Sequence, residues 1–103
     1  MTTHELKTWP ESFKALFEGR KTFEWRRDDR GFEEGRLLIL REWDPETGAY
    51  TGQELIAEVS YVLRGGFGMP GGYCVMSLKD VLPFERQKSV YPKHGKDEVK
   101  WRP

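Results

Sequence analysis

The sequence predicts a small α+β domain, a partly open β-barrel of about five strands with one main N-terminal helix. Three observations lead there. One amphipathic helical stretch stands near the start. About five short runs of apolar or alternating residues accompany it, joined mostly by loops of antiparallel length. Aromatic residues make up 14% of the 103 residues, enough for a small core in a one-domain chain. Closing the sheet toward a barrel would protect its edges.

Each element has its own local reason. Residues 4–8 are short and extended in character, a first strand. A helix over residues 9–18 follows, with Thr8 as N-cap, Glu11 completing a capping box and Pro10 in the first turn. Phe13, Leu16 and Phe17 share one face of it, and Gly19 is its natural stop. Residues 21–27 alternate. Phe23 and Trp25 are assigned to the core side, with Thr22, Glu24 and Arg26 opposite. Residues 28–34 are polar and contain Gly31, hence a loop. Residues 36–43 hold the Leu37-Leu38-Ile39-Leu40 run, apolar on both sides, which suits a strand covered on both faces.

Asp44-Pro45-Glu46-Thr47-Gly48 has turn chemistry. A long strand over about 53–63 then places Leu55, Ala57, Val59, Tyr61 and Leu63 on one face. Gly65 to Gly72 is a glycine-rich loop, and Tyr73 to Leu78 the last clear strand. The domain is drawn at residues 1–83. Residues 84–103 carry six basic residues against three acidic ones and form a basic C-terminal tail, mobile or draped over the domain.

Composition excludes several classes. Seventeen Lys and Arg balance seventeen Asp and Glu, unlike a protein that coats duplexes by neutralising many phosphates. The single Cys74 cannot make an internal disulfide, and mid-strand among apolar neighbours it reads as a buried, inert thiol. No His, Cys and acid spacing builds a metal site, so neither a metal nor a cofactor is expected. Gly66-Phe67-Gly68-Met69-Pro70-Gly71 matches G-x-G-x-x-G by letter, but a strand follows it where a dinucleotide site needs a helix. Without an apolar signal core or a membrane-length stretch, a cytoplasmic location is expected and no membrane partner.

The chemistry gathers around one strand. Glu24 and Arg26 lie two apart on one face, and Lys21 at the strand entrance can turn toward the same cleft. Arginine offers a planar donor fork and lysine a compact charge. A carboxylate between them could accept from the exocyclic amine of a base. The bland alternative is a solvated face with weak ion pairs. Lys7 joins the cleft if the first strand adjoins, and is otherwise an exposed lysine. Asp29 and Arg30 either shape the cleft rim or form a solvated turn. Phe67 either stacks on a base or packs on the barrel mouth.

Gly19-Arg20-Lys21-Thr22-Phe23-Glu24-Trp25-Arg26 resembles the G-x-K-x-x-E-x-R signature of ASCH domains, a branch of the PUA-like superfamily. The flanks resemble one branch of small uncharacterised bacterial and phage proteins. They include His4-Glu5-Leu6-Lys7, Asp28-Asp29-Arg30-Gly31-Phe32, the run from Leu38 to Pro45, and Gly65-Gly66-Phe67-Gly68. The resemblance spans about residues 4–80. It implies a PUA-like β-barrel with an RNA- or nucleotide-binding cleft near the signature strand, and the candidate ligand-binding residues are then Lys7, Lys21, Glu24, Arg26, Asp29, Arg30 and Phe67.

An enzyme branch of similar fold hydrolyses the acetyl amide of acetylcytidine with a lysine, a threonine and a glutamate. Its lysine matches Lys21. Its threonine falls on Glu24, a departure, because a carboxylate is no hydroxyl nucleophile. Its glutamate has no assigned counterpart. The alternative expectation is therefore an amidohydrolase on a modified nucleoside, or a ribonuclease, with Lys21 and Glu24 catalytic. A third is a phage or mobile-element accessory protein that binds a protein partner through the tail.

Overall fold

A computed structural model describes residues 3–86 of the chain. In order it contains β1 (Thr3–Thr8), α1 (Pro10–Phe17), β2 (Phe23–Arg27), β3 (Leu37–Asp44), β4 (Ala49–Arg64) and β5 (Tyr73–Pro83). The strands make one sheet in the order β1-β3-β4-β5-β2. β1 runs parallel to β3, and every other neighbouring pair is antiparallel. The sheet curls into a half-barrel whose two edge strands, β1 and β2, approach each other without pairing. Residues 87–103, most of the basic tail, lie outside the described residues.

The core fills the hollow of this sheet. Leu6 comes from β1, Leu38 and Leu40 from β3, Leu55, Ala57 and Val59 from β4, and Cys74, Met76 and Leu78 from β5. Helix α1 adds Phe13 and Leu16, packing against β3 and β5. The alternation of each strand does the sorting, since residues two apart share a face. On β3 Ile39 is buried as well as Leu38 and Leu40, as the uninterrupted apolar run predicts.

Four local readings are corrected. Thr8 is not the helix cap. It stays in the β1 ladder opposite Glu42 with its hydroxyl toward the Leu6 carbonyl. Trp9 takes the N-cap position without a side-chain cap, and Pro10 begins the helix.

The segment 28–34 is more than a polar loop, because Phe32 is 1% exposed and belongs to the core. Arg64 secures this plug, donating to the Phe32 carbonyl and to Asp28 at 2.8 Å.

The long strand does not keep one face throughout. The register with β5 shifts between Val59 and Tyr61, a bulge at Ser60. Beyond it Val62 packs on the core while Tyr61 faces water.

Finally, Phe23 and Trp25 point outward and Glu24 is 3% exposed. Period 2 says which residues share a face, but not which face is inside. Here Glu24 stands in one row with Met76 and Val62, both on the core side.

A second buried carboxylate ties the segment just after β5 to the sheet. Glu54 on β4 receives Arg41 Nε at 2.9 Å and Arg86 Nε at 2.8 Å. Arg86 also grips Glu5 on β1 with two nitrogens, at 2.8 and 3.3 Å. Residues 84–86, just after β5, are thus fastened across β4 and β1, with Phe84 N donating to the Glu54 carbonyl.

Candidate functional site at the half-barrel seam

Where β1 and β2 fail to pair, a pocket of about 330 Å³ opens between them and the first turn of α1. Three elements supply its wall. The end of β1 contributes Lys7 and Thr8, the strand-to-helix corner and α1 give Trp9 and Ser12, and Lys21 with β2 gives Glu24, Trp25 and Arg26. The corner exists because Pro10 cannot extend a ladder but suits a helix start. Lys21 is brought in by the end of α1, where its backbone N–H donates to the Ala15 carbonyl at 3.0 Å.

At the pocket base Glu24 is held between two cations. Lys21 Nζ lies 3.2 Å from Oε1, and Arg26 Nε donates to Oε2 at 2.8 Å. Lys21 also donates to Ser12 Oγ. Arg26 reaches across the seam and donates to the Lys7 carbonyl at 2.6 Å. One buried carboxylate therefore anchors a chain of polar contacts from α1 through β2 to β1. From sequence, Glu24 is expected to accept from a base. In the structure both its oxygens are occupied by Lys21 and Arg26, and what the pocket turns outward is a surplus of donors. Lysine has three donors and arginine five, so each keeps some unspent.

Lys7, Lys21, Glu24 and Arg26 come together in this pocket. Asp29, Arg30 and Phe67 do not line it. Arg30 donates to the Glu5 carbonyl at 2.7 Å, so it caps the β1 edge two residues from where Arg26 does. Asp29 is exposed, its N–H bonded to the Arg27 carbonyl. Phe67 stands on the 65–72 loop, 94% exposed, at a φ of 55° that is uncommon outside glycine.

Sequence reasoning missed Ser12, Thr8, Trp9 and Trp25 as pocket residues. Ser12 carried a usable signal, being the hydroxyl on the first turn of the helix that leads to Lys21. Lys7 has a further contact, its ammonium 4.0 Å from the Trp43 ring centre, a cation–π geometry. Among the described residues no group of three or more His, Cys, Asp and Glu is arranged to hold a metal ion. No helix among them is long and apolar enough to cross a membrane.

Fold and site together define a small β-rich half-barrel with a charged, tryptophan-flanked pocket at its open seam. The chain belongs to a family described as a domain of unknown function, DUF3850, whose model matches residues 3–78. That stretch includes every residue lining the pocket. The chain is also similar to an uncharacterised 12.9 kDa protein in the GpA 3′ region of Escherichia phage P2. The two are 39% identical over 59 residues, 57% of this chain and 52% of that protein. The matched stretch thus spans about half the length of that relative.

Proposed function

We propose that the seam pocket binds RNA or a nucleotide, gripping an anionic group, and that the chain is an ASCH-type member of the PUA-like superfamily working in the cytoplasm. One observation carries the reading. Among the described residues the only acid lining the pocket, Glu24, is already satisfied by Lys21 and Arg26. The donors that these cations keep call for an acceptor such as phosphate, to which an arginine fork and a lysine charge are suited. Trp9 and Trp25 offer aromatic faces beside those donors, and any base can stack on such a face. The pocket volume sits at the lower end of ligand sites, about 300–1,000 Å³, which favours one nucleotide unit.

The test is a titration of uridine monophosphate, free uridine and a short single-stranded RNA, read by tryptophan fluorescence. The phosphate-bearing ligands should saturate the signal and free uridine should not. Lys7→Ala, which leaves the Glu24 ion pairs intact, should weaken binding by about tenfold if it loses one charge-assisted hydrogen bond. Equal binding of uridine and its monophosphate, unmoved by Lys7→Ala, would sink the reading.

A second reading has its own observation. The Ser12 hydroxyl lies inside the pocket beside Lys21, where an amidohydrolase would need a nucleophile and an oxyanion partner. Acetylcytidine turned over by the wild type and spared by Ser12→Ala would establish it. Turnover unaffected by that change would remove Ser12 from the chemistry.

A further inference from the structure

The outer face of β2, β5 and β4 breaks the usual pattern of a water-facing sheet. An antiparallel sheet with one solvated side normally shows polar residues there. Here Phe23 is 46% exposed, Trp25 49% and Tyr61 56%. The register puts them on one surface. Phe23 and Tyr61 flank Ser77 in one row, and Trp25 and Leu63 flank Val75 in the next. Arg27 lies opposite Tyr73 in a third. The Trp25 and Tyr73 rings are 6.2 Å apart.

Cations sit on this surface as well. Arg27 lies 5.2 Å from the Tyr73 ring centre, and Lys21 Nζ 5.3 Å from that of Phe23. No acidic residue occurs in the three rows. Trp25 belongs both to this face and to the seam pocket, so the two surfaces are continuous.

We propose that this face is a stacking platform for single-stranded RNA, with bases on the Phe23, Trp25, Tyr61 and Tyr73 rings and phosphates on Arg27 and Lys21. The charge selects the occupant. Rings interleaved with Arg27, and with Lys21, which keeps a donor beyond its bonds to Glu24 and Ser12, complement a polyanion that carries flat aromatic groups. A second copy of the same face would set Arg27 against the other copy's cations, with no acid in these rows to meet it. Residues two apart on a strand are spaced about 6.6 Å, a separation that lets neighbouring bases of an extended strand take successive rings. Duplex RNA hides its base faces and gains nothing from the rings. The platform rests on the RNA-binding reading and extends it to Phe23, Tyr61, Tyr73 and Arg27, which do not line the pocket, so the two can fail separately.

The experiment measures anisotropy of a fluorescein-labelled single-stranded RNA of about ten nucleotides, beside the pocket titration with uridine monophosphate. Phe23→Ala/Tyr61→Ala should weaken the oligonucleotide by at least about tenfold, since each lost stacking ring commonly costs that much. The same variant should leave the mononucleotide unchanged. Phe23→Tyr/Tyr61→Phe keeps the rings and should bind as the wild type does, which separates stacking from any folding defect. Arg27→Ala should lower the salt dependence of oligonucleotide binding. The proposal is overturned by wild-type affinity in the ring-deleted variant, by equal affinity for a duplex, or by no oligonucleotide binding at all. A wild-type dimer that this variant converts to monomer overturns it too. Mononucleotide binding that survives any of these outcomes leaves the pocket reading standing.

Discussion

Glu24 shows how one side chain sets the character of a site. A buried carboxylate is costly unless paired and hydrogen-bonded, and Lys21 and Arg26 meet that condition at 3.2 and 2.8 Å. Removing the acid strands two cations beside an apolar core. Glu24→Ala should lower unfolding stability by about 2–3 kcal/mol, below the range for a fully buried pair because both cations reach water. Glu24→Gln keeps the shape and should lose less. Urea unfolding of the two variants checks both. Cys74 is the opposite case, a group with no polar task. Burial chiefly pushes its thiol above the ordinary value of 9.0, and Asp28 adds to that. The thiolate is the reactive form. At pH 8 the native protein should react with a thiol reagent far more slowly than the protein in denaturant, and equal rates would contradict the burial.

At the scale of elements, the seam is held by arginines where a barrel would use a ladder. Arg26 and Arg30 cap the carbonyls of Lys7 and Glu5 on the free edge of β1. They satisfy acceptors that would otherwise invite another strand, and they leave space for the pocket beside them. Replacing both arginines with alanine should cost about 2–4 kcal/mol, because two hydrogen bonds to β1 are lost and the buried Glu24 is left with Lys21 alone. Amide exchange should quicken in β1 and β2 before β3 and β4. Unchanged exchange at those edges would mean that the seam is held by other contacts. The Phe32 plug is the more costly feature. Phe32→Ala opens a core cavity and should lose about 3–4 kcal/mol, measurable in the same unfolding series.

Across the whole molecule, the Glu5–Arg86–Glu54–Arg41 network joins β1 to the segment that follows β5. The Arg86 hydrogen bond, opposed by desolvation, holds the Glu5 carboxyl below its ordinary value of 4.5. Arg86 in turn is held above its own ordinary value, chiefly by the hydrogen bond to Glu5. The sign follows from proton linkage. The unfolded chain takes up a proton on Glu5 first as the pH falls, so the stabilisation is intact above pH 4.5 and lost as pH drops through the lower folded value. Glu5 and Arg86 are each 44% exposed, so water and salt screen the effect. Arg86→Ala should flatten the acid limb of the stability curve, more clearly at low salt, and an unchanged limb would assign it to other carboxylates.

How much of this was legible depends on whether the cause is local. Helix α1, five strands and the glycine loop could be read because periodicity, proline and glycine act over a few residues. So could the gathering of Lys21, Glu24 and Arg26, which lie within six positions of one another. Sequence alone also determined a balanced charge and the cysteine's apolar setting. Only the tertiary structure decided which face of β2 is inside, because alternation is indifferent to the choice. Once Glu24 is inside between Lys21 and Arg26, the aromatics of β2 must face water. The Ser60 bulge, the Phe32 plug and the meeting of Lys7 and Ser12 with Lys21 likewise depend on partners far along the chain. Strand order β1-β3-β4-β5-β2 leaves β1 and β2 as the two edges. The pocket lies at their seam, because the curl of the sheet brings together two consecutive strands that the sheet order sets at opposite ends.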